Sequence, residues 1–448
     1  MQYFNAISLF SGAMGLDVGL ENVGTLIRDD FGEVKAKFII RACIESDPII
    51  RDTIEANVLK GNVLDKNLKI YGDIRKIIDP KKILEECEIN NLDLLAGGPP
   101  CQSFSTAGRR QTVKDPRGTL IWEFVRFVNE MSPKFFLMEN VRGLMSAAIK
   151  HRPIKERGPE FPPLSDDEKP GSVVKLLVKD FRSLGYHVDI FEVNAVNYGA
   201  PQLRERVLFI GNKYAKHIKF LNPICSQIIL ENEETWKLEN TGRQIVQVKM
   251  DSLKTKPFRT INDAIGDLRE ENPEILDFSE RKKKYLSEIP PGGNWRCMPI
   301  EIQKESMGEA WYAKGGRSGW WRRLSPDLPS PCLLTMPNHA STSLCHPIET
   351  RALSVKEYLR LQEFPENWII RGKTNEKYTQ IGNAVPVRLG EVAGKVIGDA
   401  LISLNDALEI CDNGETDEVR SVYLKSHIRT RKWYHKGKAV VRHNGGLN

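Results

Sequence analysis

Ala6-Ile7-Ser8-Leu9-Phe10-Ser11-Gly12-Ala13-Met14-Gly15 sets the fold class. Ala6 to Phe10 reads as a short buried strand, Ser11 to Gly15 as a glycine-bearing turn, and a helix begins near Leu16. The same alternation continues outward. Phe38 to Ile44 reads as a second strand, and Pro48 to Val58 as its helix with Asp47 as N-cap. Leu92 to Ala96 and Lys134 to Met138 read as buried strands joined through a helix over Ile121 to Met131. A helix over Val173 to Leu184 precedes strands at Tyr186 to Val193 and Arg206 to Ile210. Strands alternating with helices predict an α/β fold, a doubly wound and mostly parallel sheet with helices on both faces. Ligands of such sheets lie beyond the carboxyl ends of the strands. Ser11–Gly15, Glu45, Asp73, Gly97–Ser105 and Glu139-Asn140 all follow strands, so they are expected at one edge.

Periodicity weakens after about Asn212. Residues 213–345 are rich in Gly and Pro and carry the cluster Trp311-Tyr312-Ala313-Lys314-Gly315-Gly316-Arg317-Ser318-Gly319-Trp320-Trp321-Arg322-Arg323. We read 1–212 plus 346–404 as one domain, 213–345 as a second, smaller and irregular one, and 405–448 as a basic extension. Helical patterns return at Val355 to Gln362 and Leu389 to Leu404, and Lys150 to Gly171 reads as an exposed loop.

A chain of 448 residues with 40% hydrophobic and 28% charged residues has the composition of a soluble globular protein. No apolar run approaches the roughly 20 residues that cross a bilayer, and Met1 to Ile7 lacks the pattern of a signal peptide. A cytoplasmic protein, or a nuclear one in a eukaryote, without membrane contact is expected. The eight cysteines (43, 87, 101, 225, 297, 332, 345 and 411) form no CxxC pair, and there is no HExxH. Neither disulfides nor a metal site is expected. A net charge of +6 is modest. The tail residues Lys425, Arg429, Arg431, Lys432, Lys436, Lys438 and Arg442 carry positive charge without an intervening acid; they form either a solvated tail or a phosphate-contacting arm.

Three features describe an adenosine site without a phosphate cradle. Phe10-Ser11-Gly12-Ala13-Met14-Gly15 suits close backbone approach, although it lacks the third glycine of the dinucleotide fingerprint. Glu45 ends a strand where α/β folds place a carboxylate for ribose hydroxyls. Asp73, with Ile74 beside it, follows a short strand and could accept from an adenine amino group. A tight turn and two solvated acids are the plainer readings. Gly97-Gly98-Pro99-Pro100-Cys101-Gln102-Ser103-Phe104-Ser105 is more specific. A cysteine on a stiff Gly/Pro loop after a buried strand is held by backbone, as a nucleophile must be. Alternation in Gln202-Leu203-Arg204-Glu205-Arg206 places Gln202, Arg204 and Arg206 on one side.

Taken in order, these segments resemble the cytosine-5 DNA methyltransferase family. Phe10 to Gly15 is similar to its first motif, Pro99 to Ser105 to the catalytic loop, Glu139-Asn140-Val141 to the ENV motif and Gln202 to Arg206 to QxRxR. Arg351 to Pro365 resembles the ninth motif and Tyr378 to Pro386 the tenth, so the match spans about residues 4 to 400. The resemblance implies a Rossmann-like, S-adenosylmethionine-dependent methyltransferase that needs no metal. It also implies roles. Cys101 would add to carbon 6 of cytosine, Glu139 would engage nitrogen 3 and the amino group, and Arg206 would donate to oxygen 2. Arg204 would support the catalytic loop or a phosphate. Phe10, Ser11, Gly12, Gly15, Glu45, Asp73, Ile74, Pro99, Leu120, Asn383 and Val385 would hold the cofactor. The cytosine must leave the duplex, and Gln102 or Ser103 could fill the vacated space.

Residues 213–345 stand where the family carries its target-recognition domain. Arg317, Arg322 and Arg323 are candidates for contacting double-stranded DNA; the alternative is that the tryptophans pack a small core and the arginines are solvated. Many relatives have Thr-Leu where this chain has Cys332-Leu333. A short N-terminal region and one variable domain resemble the bacterial enzymes of restriction–modification systems, expected as monomers that share a sequence with a cognate endonuclease. An RNA (tRNA) cytosine-5 methyltransferase and an inactive DNA-binding homologue are the alternatives.

Overall fold

The structure, a computed structural model, describes residues 1–22, 32–100, 119–215, 217–221, 223–225, 244–247, 256–313, 319–404, 420–423, 432–435 and 438–440. Five parallel strands form one side of the sheet, out to its β3 edge: β1 (Gln2–Leu9), β2 (Ala36–Ile44), β3 (Lys69–Tyr71), β4 (Leu94–Gly97) and β5 (Phe135–Val141), in the order β3-β2-β1-β4-β5. Next come β6 (His187–Asn194) and β7 (Glu205–Asn212), with β7 antiparallel between β5 and β6. Two further strands, β8 (Gln244–Gln247) and β9 (Arg420–Tyr423), extend the β6 edge in parallel. Strand β9 comes from the segment read as a basic extension, whose four-residue stretch is too short for its period to stand out. A separate pair, β10 (Trp433–His435) and β11 (Lys438–Val440), follows.

Strand alternation gives the sheet two apolar faces. Ala6, Leu94, Ala96, Phe135 and Leu137 belong to one core; Ile7, Leu9, Leu95, Phe136 and Met138 belong to the other. Helices α1 (Gly15–Glu21), α2 (Pro48–Lys60), α3 (Lys81–Glu86), α4 (Leu120–Met131) and α5 (Ser172–Ser183) connect the strands. Asp47 caps α2 as expected, accepting from the Ile49 N–H at 2.9 Å. Helix α4 buries Ile121, Phe124, Val125 and Val128, one helical face, against the second core.

The later chain adds α6 (Ile261–Ile265), α7 (Glu280–Ser287), α8 (Ile300–Met307), α9 (Val355–Leu361), α10 (Thr374–Asn383) and α11 (Val387–Ser403). Helix α11 lies against α1 and β2 at glycine contacts. A Cβ on Gly19 would sit 2.3 Å from the Val387 carbonyl oxygen, and one on Gly390 2.3 Å from that of Leu16. The C-terminal helix thereby completes the front of the sheet. Ile218, Phe220, Ile261, Leu324, Leu333 and Leu344 join the first core, whereas Phe278, Tyr285, Leu286, Trp295, Met307 and Trp321 form a third, separate one.

Candidate active site

Strands β1 to β5 end at one edge, around the point where strand order reverses between β1 and β4. A cavity of about 630 Å³ opens there. Phe10, Ser11, Gly12 and Gly15 line it from the turn after β1, Glu45 from the end of β2, and Asp73 and Ile74 from beyond β3. Pro99 enters after β4, Leu120 from the start of α4 and Glu139 from β5. Arg204 and Arg206 approach along β7, with Asn383 and Val385 from the end of α10. Residues far apart in sequence thus share one surface.

The turn after β1 is sharply folded, with Phe10 and Met14 at φ 56° and 66°. Non-glycine residues rarely adopt that left-handed region. Ser11 Oγ donates to Ser8 Oγ at 2.9 Å, and the Gly12 N–H donates to Glu45 Oε2 at 3.0 Å. Glu45 Oε1 also accepts from the Asp47 N–H at 2.9 Å, so the carboxylate is held between two loops. A Cβ on Gly12 would meet nothing within 4 Å, leaving open space above the turn. Gly15 serves packing as well, because its Cβ would fall 2.1 Å from the Val385 carbonyl oxygen. Asp73 caps the next turn through the Arg75 N–H and binds the Arg75 guanidinium at 2.8 Å, which holds its pKa down at about 2.

Beneath the Pro99-Pro100 segment, Arg206 Nε lies 2.6 Å from Glu139 Oε1, and both side chains are about nine-tenths buried. They are diagonal neighbours, since Val141 pairs with Arg206 and Glu139 with Leu208. A Cβ on Gly98 would lie 3.0 Å from Glu139 Oε2, so glycine brings the loop backbone close to this carboxylate. Asn140, buried, donates from Nδ2 to the Pro99 carbonyl at 3.0 Å, while its Oδ1 accepts from the Val141 N–H at 2.9 Å. The family resemblance assigns Asn140 no role; its place between Glu139 and Val141 in the ENV segment is the available signal.

Arg204 sits differently from its neighbour. It is fully buried and donates from Nη2 to the Gly382 carbonyl at 2.8 Å, and from Nη1 to the Leu333 carbonyl at 3.2 Å and Cys332 Sγ at 3.3 Å. Burial lowers its pKa to about 10, so it stays charged at neutral pH. It therefore ties β7 to the Cys332-Leu333 segment and to α10. Gln202 works alongside, donating to Gln362 Oε1 at 2.7 Å, and Gln362 in turn donates to the Ile381 carbonyl at 2.7 Å.

Cys101, Gln102, Ser103 and Arg317 lie outside the described residues. Arg322 is partly buried, and its N–H donates to Ser343 Oγ at 2.7 Å. Arg323 departs from the expected role in DNA contact. Its buried guanidinium donates to the carbonyls of Leu286, Ile289 and Ile348 and to Thr350 Oγ1, which braces the third core. Arg-rich sequence shows charge but not the carbonyls that absorb it. In the tail, Lys432 is ion-paired with Asp327.

The fold is that of a methyltransferase. The Entamoeba histolytica methyltransferase EhMeth superposes with a TM-score of 0.54 at 14% identity, covering 90% of this chain and 99% of that one. A Spodoptera frugiperda DNMT2 superposes with a TM-score of 0.52 at 13% identity, covering 88% and 99%. Sequence narrows the class further. The profile of the C-5 cytosine-specific DNA methylase family matches residues 4–399, and the chain belongs to that family. Staphylococcus aureus Type II methyltransferase M.Sau96I is 32% identical over 402 residues, 90% of this chain and 77% of the relative. Escherichia coli Type II methyltransferase M.Eco47II is 34% identical over 409 residues, 90% and 80% respectively.

S-adenosylmethionine is the methyl donor of this family, and the cavity suits it. The acids Glu45 and Asp73 can accept from hydroxyl and amino groups. Each lining arginine is already engaged: Arg75 by Asp73, Arg204 by carbonyls, Arg206 by Glu139. That arrangement accommodates an adenosine and offers no phosphate cradle. Among the described residues, no helix is long and apolar enough to cross a membrane.

Proposed function

We propose that this protein methylates carbon 5 of a cytosine flipped out of a specific double-stranded DNA sequence, as a DNA (cytosine-5-)-methyltransferase of a restriction–modification system. The observation that carries the reading is the buried Glu139–Arg206 pair, which lines one cavity together with Pro99 and Pro100.

Carbon 5 of cytosine is too poor a nucleophile to be alkylated unaided. The Cys101 thiolate adds to carbon 6, and the electrons of the 5,6 double bond move to carbon 5 and into the ring. Glu139 holds nitrogen 3 and the amino group, and Arg206 donates to oxygen 2, stabilising that charge where it develops. When bound in the cavity, S-adenosylmethionine would supply the electrophilic methyl group, S-adenosylhomocysteine being the leaving group. A base, a role open to water, then takes the carbon 5 proton; the electrons of that C–H bond re-form the 5,6 double bond and expel the Cys101 thiolate by breaking its bond to carbon 6. No metal takes part in these steps. Arg204 is a positioning residue in this scheme, holding β7 against α10. Phe10, Gly12, Glu45, Asp73, Ile74, Leu120, Asn383 and Val385 hold the cofactor.

Residues 213–345 serve as the target-recognition domain, with Arg317 and Arg322 directed to DNA and Gln102 or Ser103 entering the vacated stack. The protein acts as a cytoplasmic monomer beside an endonuclease of the same specificity. Incubating it with tritiated cofactor and either plasmid DNA or bulk tRNA tests the substrate class. Label in DNA supports the reading; label confined to tRNA, or absent from both, overturns it.

A further inference from the structure

At the opposite end of the sheet from the cavity, three side chains converge that the methyl-transfer scheme does not use. His187 begins β6 and Asp189 stands two residues on, so both project from the same strand face. His217 lies beyond the end of β7, which pairs with the start of β6 through Asn212 and His187. The length of β6, about 23 Å of extended strand, separates them from the edge that carries the active site.

Their polar atoms form a triangle. His187 Nε2 lies 3.0 Å from His217 Nδ1, His217 Nδ1 lies 3.1 Å from Asp189 Oδ1, and His187 Nε2 lies 3.5 Å from the same oxygen. Hydrogen bonding cannot satisfy that triangle with neutral rings. If both nitrogens carry hydrogen, two N–H groups face each other; if only one does, at least one edge sets lone pair against lone pair. A cation at the centre satisfies all three. Three atoms spaced in this way share a point about 2 Å from each, the bond length of Zn²⁺ to imidazole nitrogen and carboxylate oxygen. That point lies off their plane, as in a tetrahedral site whose fourth position is open. The second carboxylate oxygen is occupied, since Asp189 Oδ2 accepts from the Ile218 N–H at 2.7 Å, which orients the first.

We propose that His187, Asp189 and His217 form a structural site for one divalent transition-metal ion, Zn²⁺ foremost, with water as the fourth ligand. Two imidazoles and one carboxylate favour zinc over magnesium or calcium, which prefer all-oxygen sites. The site clamps the chain leaving β7 onto the base of β6 and so anchors the start of the variable region. The sequence spacing concealed it, because one ligand comes from beyond a second strand and no Cys or paired motif marks it.

The test uses untagged full-length protein, stripped with chelator and titrated with Zn²⁺ against a chromophoric competitor. A Cys101→Ser background keeps the loop thiol from contributing. One equivalent per chain is expected, with a rise in melting temperature on metal addition. His187→Ala and His217→Ala should each lose that equivalent and the thermal shift, and Asp189→Asn should bind at least tenfold more weakly. Circular dichroism of the metal-free proteins shows whether each variant is folded. Co²⁺ should give tetrahedral d–d absorption in the parent and none in His217→Ala. The proposal is overturned if the parent takes up no stoichiometric metal, or if a folded His187→Ala/His217→Ala protein takes up as much as the parent.

Discussion

Asn140 offers a way to disturb the nucleophile's loop through a residue given no role toward the base. Its side chain is 3% exposed and joins the Pro99 carbonyl to the Val141 N–H. In Asn140→Ala both groups lose their partner. A buried unsatisfied group costs about 1–3 kcal/mol, and the loss falls on the segment that must hold Cys101 against the base. If one such cost is expressed in the chemical step, kcat falls by about 5- to 150-fold. The KM for S-adenosylmethionine should change less than kcat, because of the residues assigned to the cofactor only Pro99 is bonded to Asn140. Asn140→Asp should be worse than Ala. It keeps the acceptor for Val141 but sets a carboxylate oxygen against the Pro99 carbonyl, where the amide N now lies at 3.0 Å. Single-turnover methylation of a DNA duplex, with cofactor affinity measured separately, reads both effects. A kcat for Asn140→Ala above half that of the parent, or a loss confined to KM, would refute the reasoning.

Arg204→Met removes the donors to the Leu333 and Gly382 carbonyls, costing about 1–3 kcal/mol for each orphaned group. A lowered denaturation midpoint should accompany the lost activity. Gly15→Ala forces a Cβ toward the Val385 oxygen 2.1 Å away, so calorimetry should show cofactor affinity reduced at least about tenfold, with about 1–3 kcal/mol of overpacking in urea melts. Burial raises the carboxyls of Asp17 to about 7 and of Glu21 and Glu391 to about 8. These groups stay protonated in the folded state while the unfolded chain ionises, so stability should fall as pH rises from about 4.5 to 8, by at most about 1.4 kcal/mol per unit for each group. Glu391→Gln should flatten that slope in melts across the range; an unchanged slope would discount the buried acid.

Most of the central sheet was legible because its strands are buried on both faces and read as continuous apolar runs. Phe10 to Gly12, Glu45, Asp73 and Pro99 were legible for a related reason: each follows a strand, and parallel strands end together, whereas Leu120, Arg206, Asn383 and Val385 were marked by the resemblance alone. The antiparallel placement of β7 was not, since periodicity carries no direction. Arg204 and Arg323 show the same limit. Alternation placed Arg204 on the same side as Gln202 and Arg206, yet nothing local showed that the Leu333 and Gly382 carbonyls would absorb its donors. Arg323 stands beside tryptophans as a groove-reading arginine would, but four internal acceptors hold it. The departure at Cys332 also changed meaning, because its sulfur lies 3.3 Å from Arg204 and lines the cavity.

Covalent trapping tests the central claim most directly. A DNA duplex carrying 5-fluorocytosine at the target position can accept the methyl group but cannot then lose fluorine as a cation, so the bond from Cys101 to carbon 6 cannot be released. Mixed with S-adenosylmethionine, the protein should form a complex with this duplex that survives denaturing electrophoresis, and peptide mapping should place the modified base on Cys101. Cys101→Ser should form none. An active protein that yields no such adduct, or one whose adduct maps to another residue, would contradict the account.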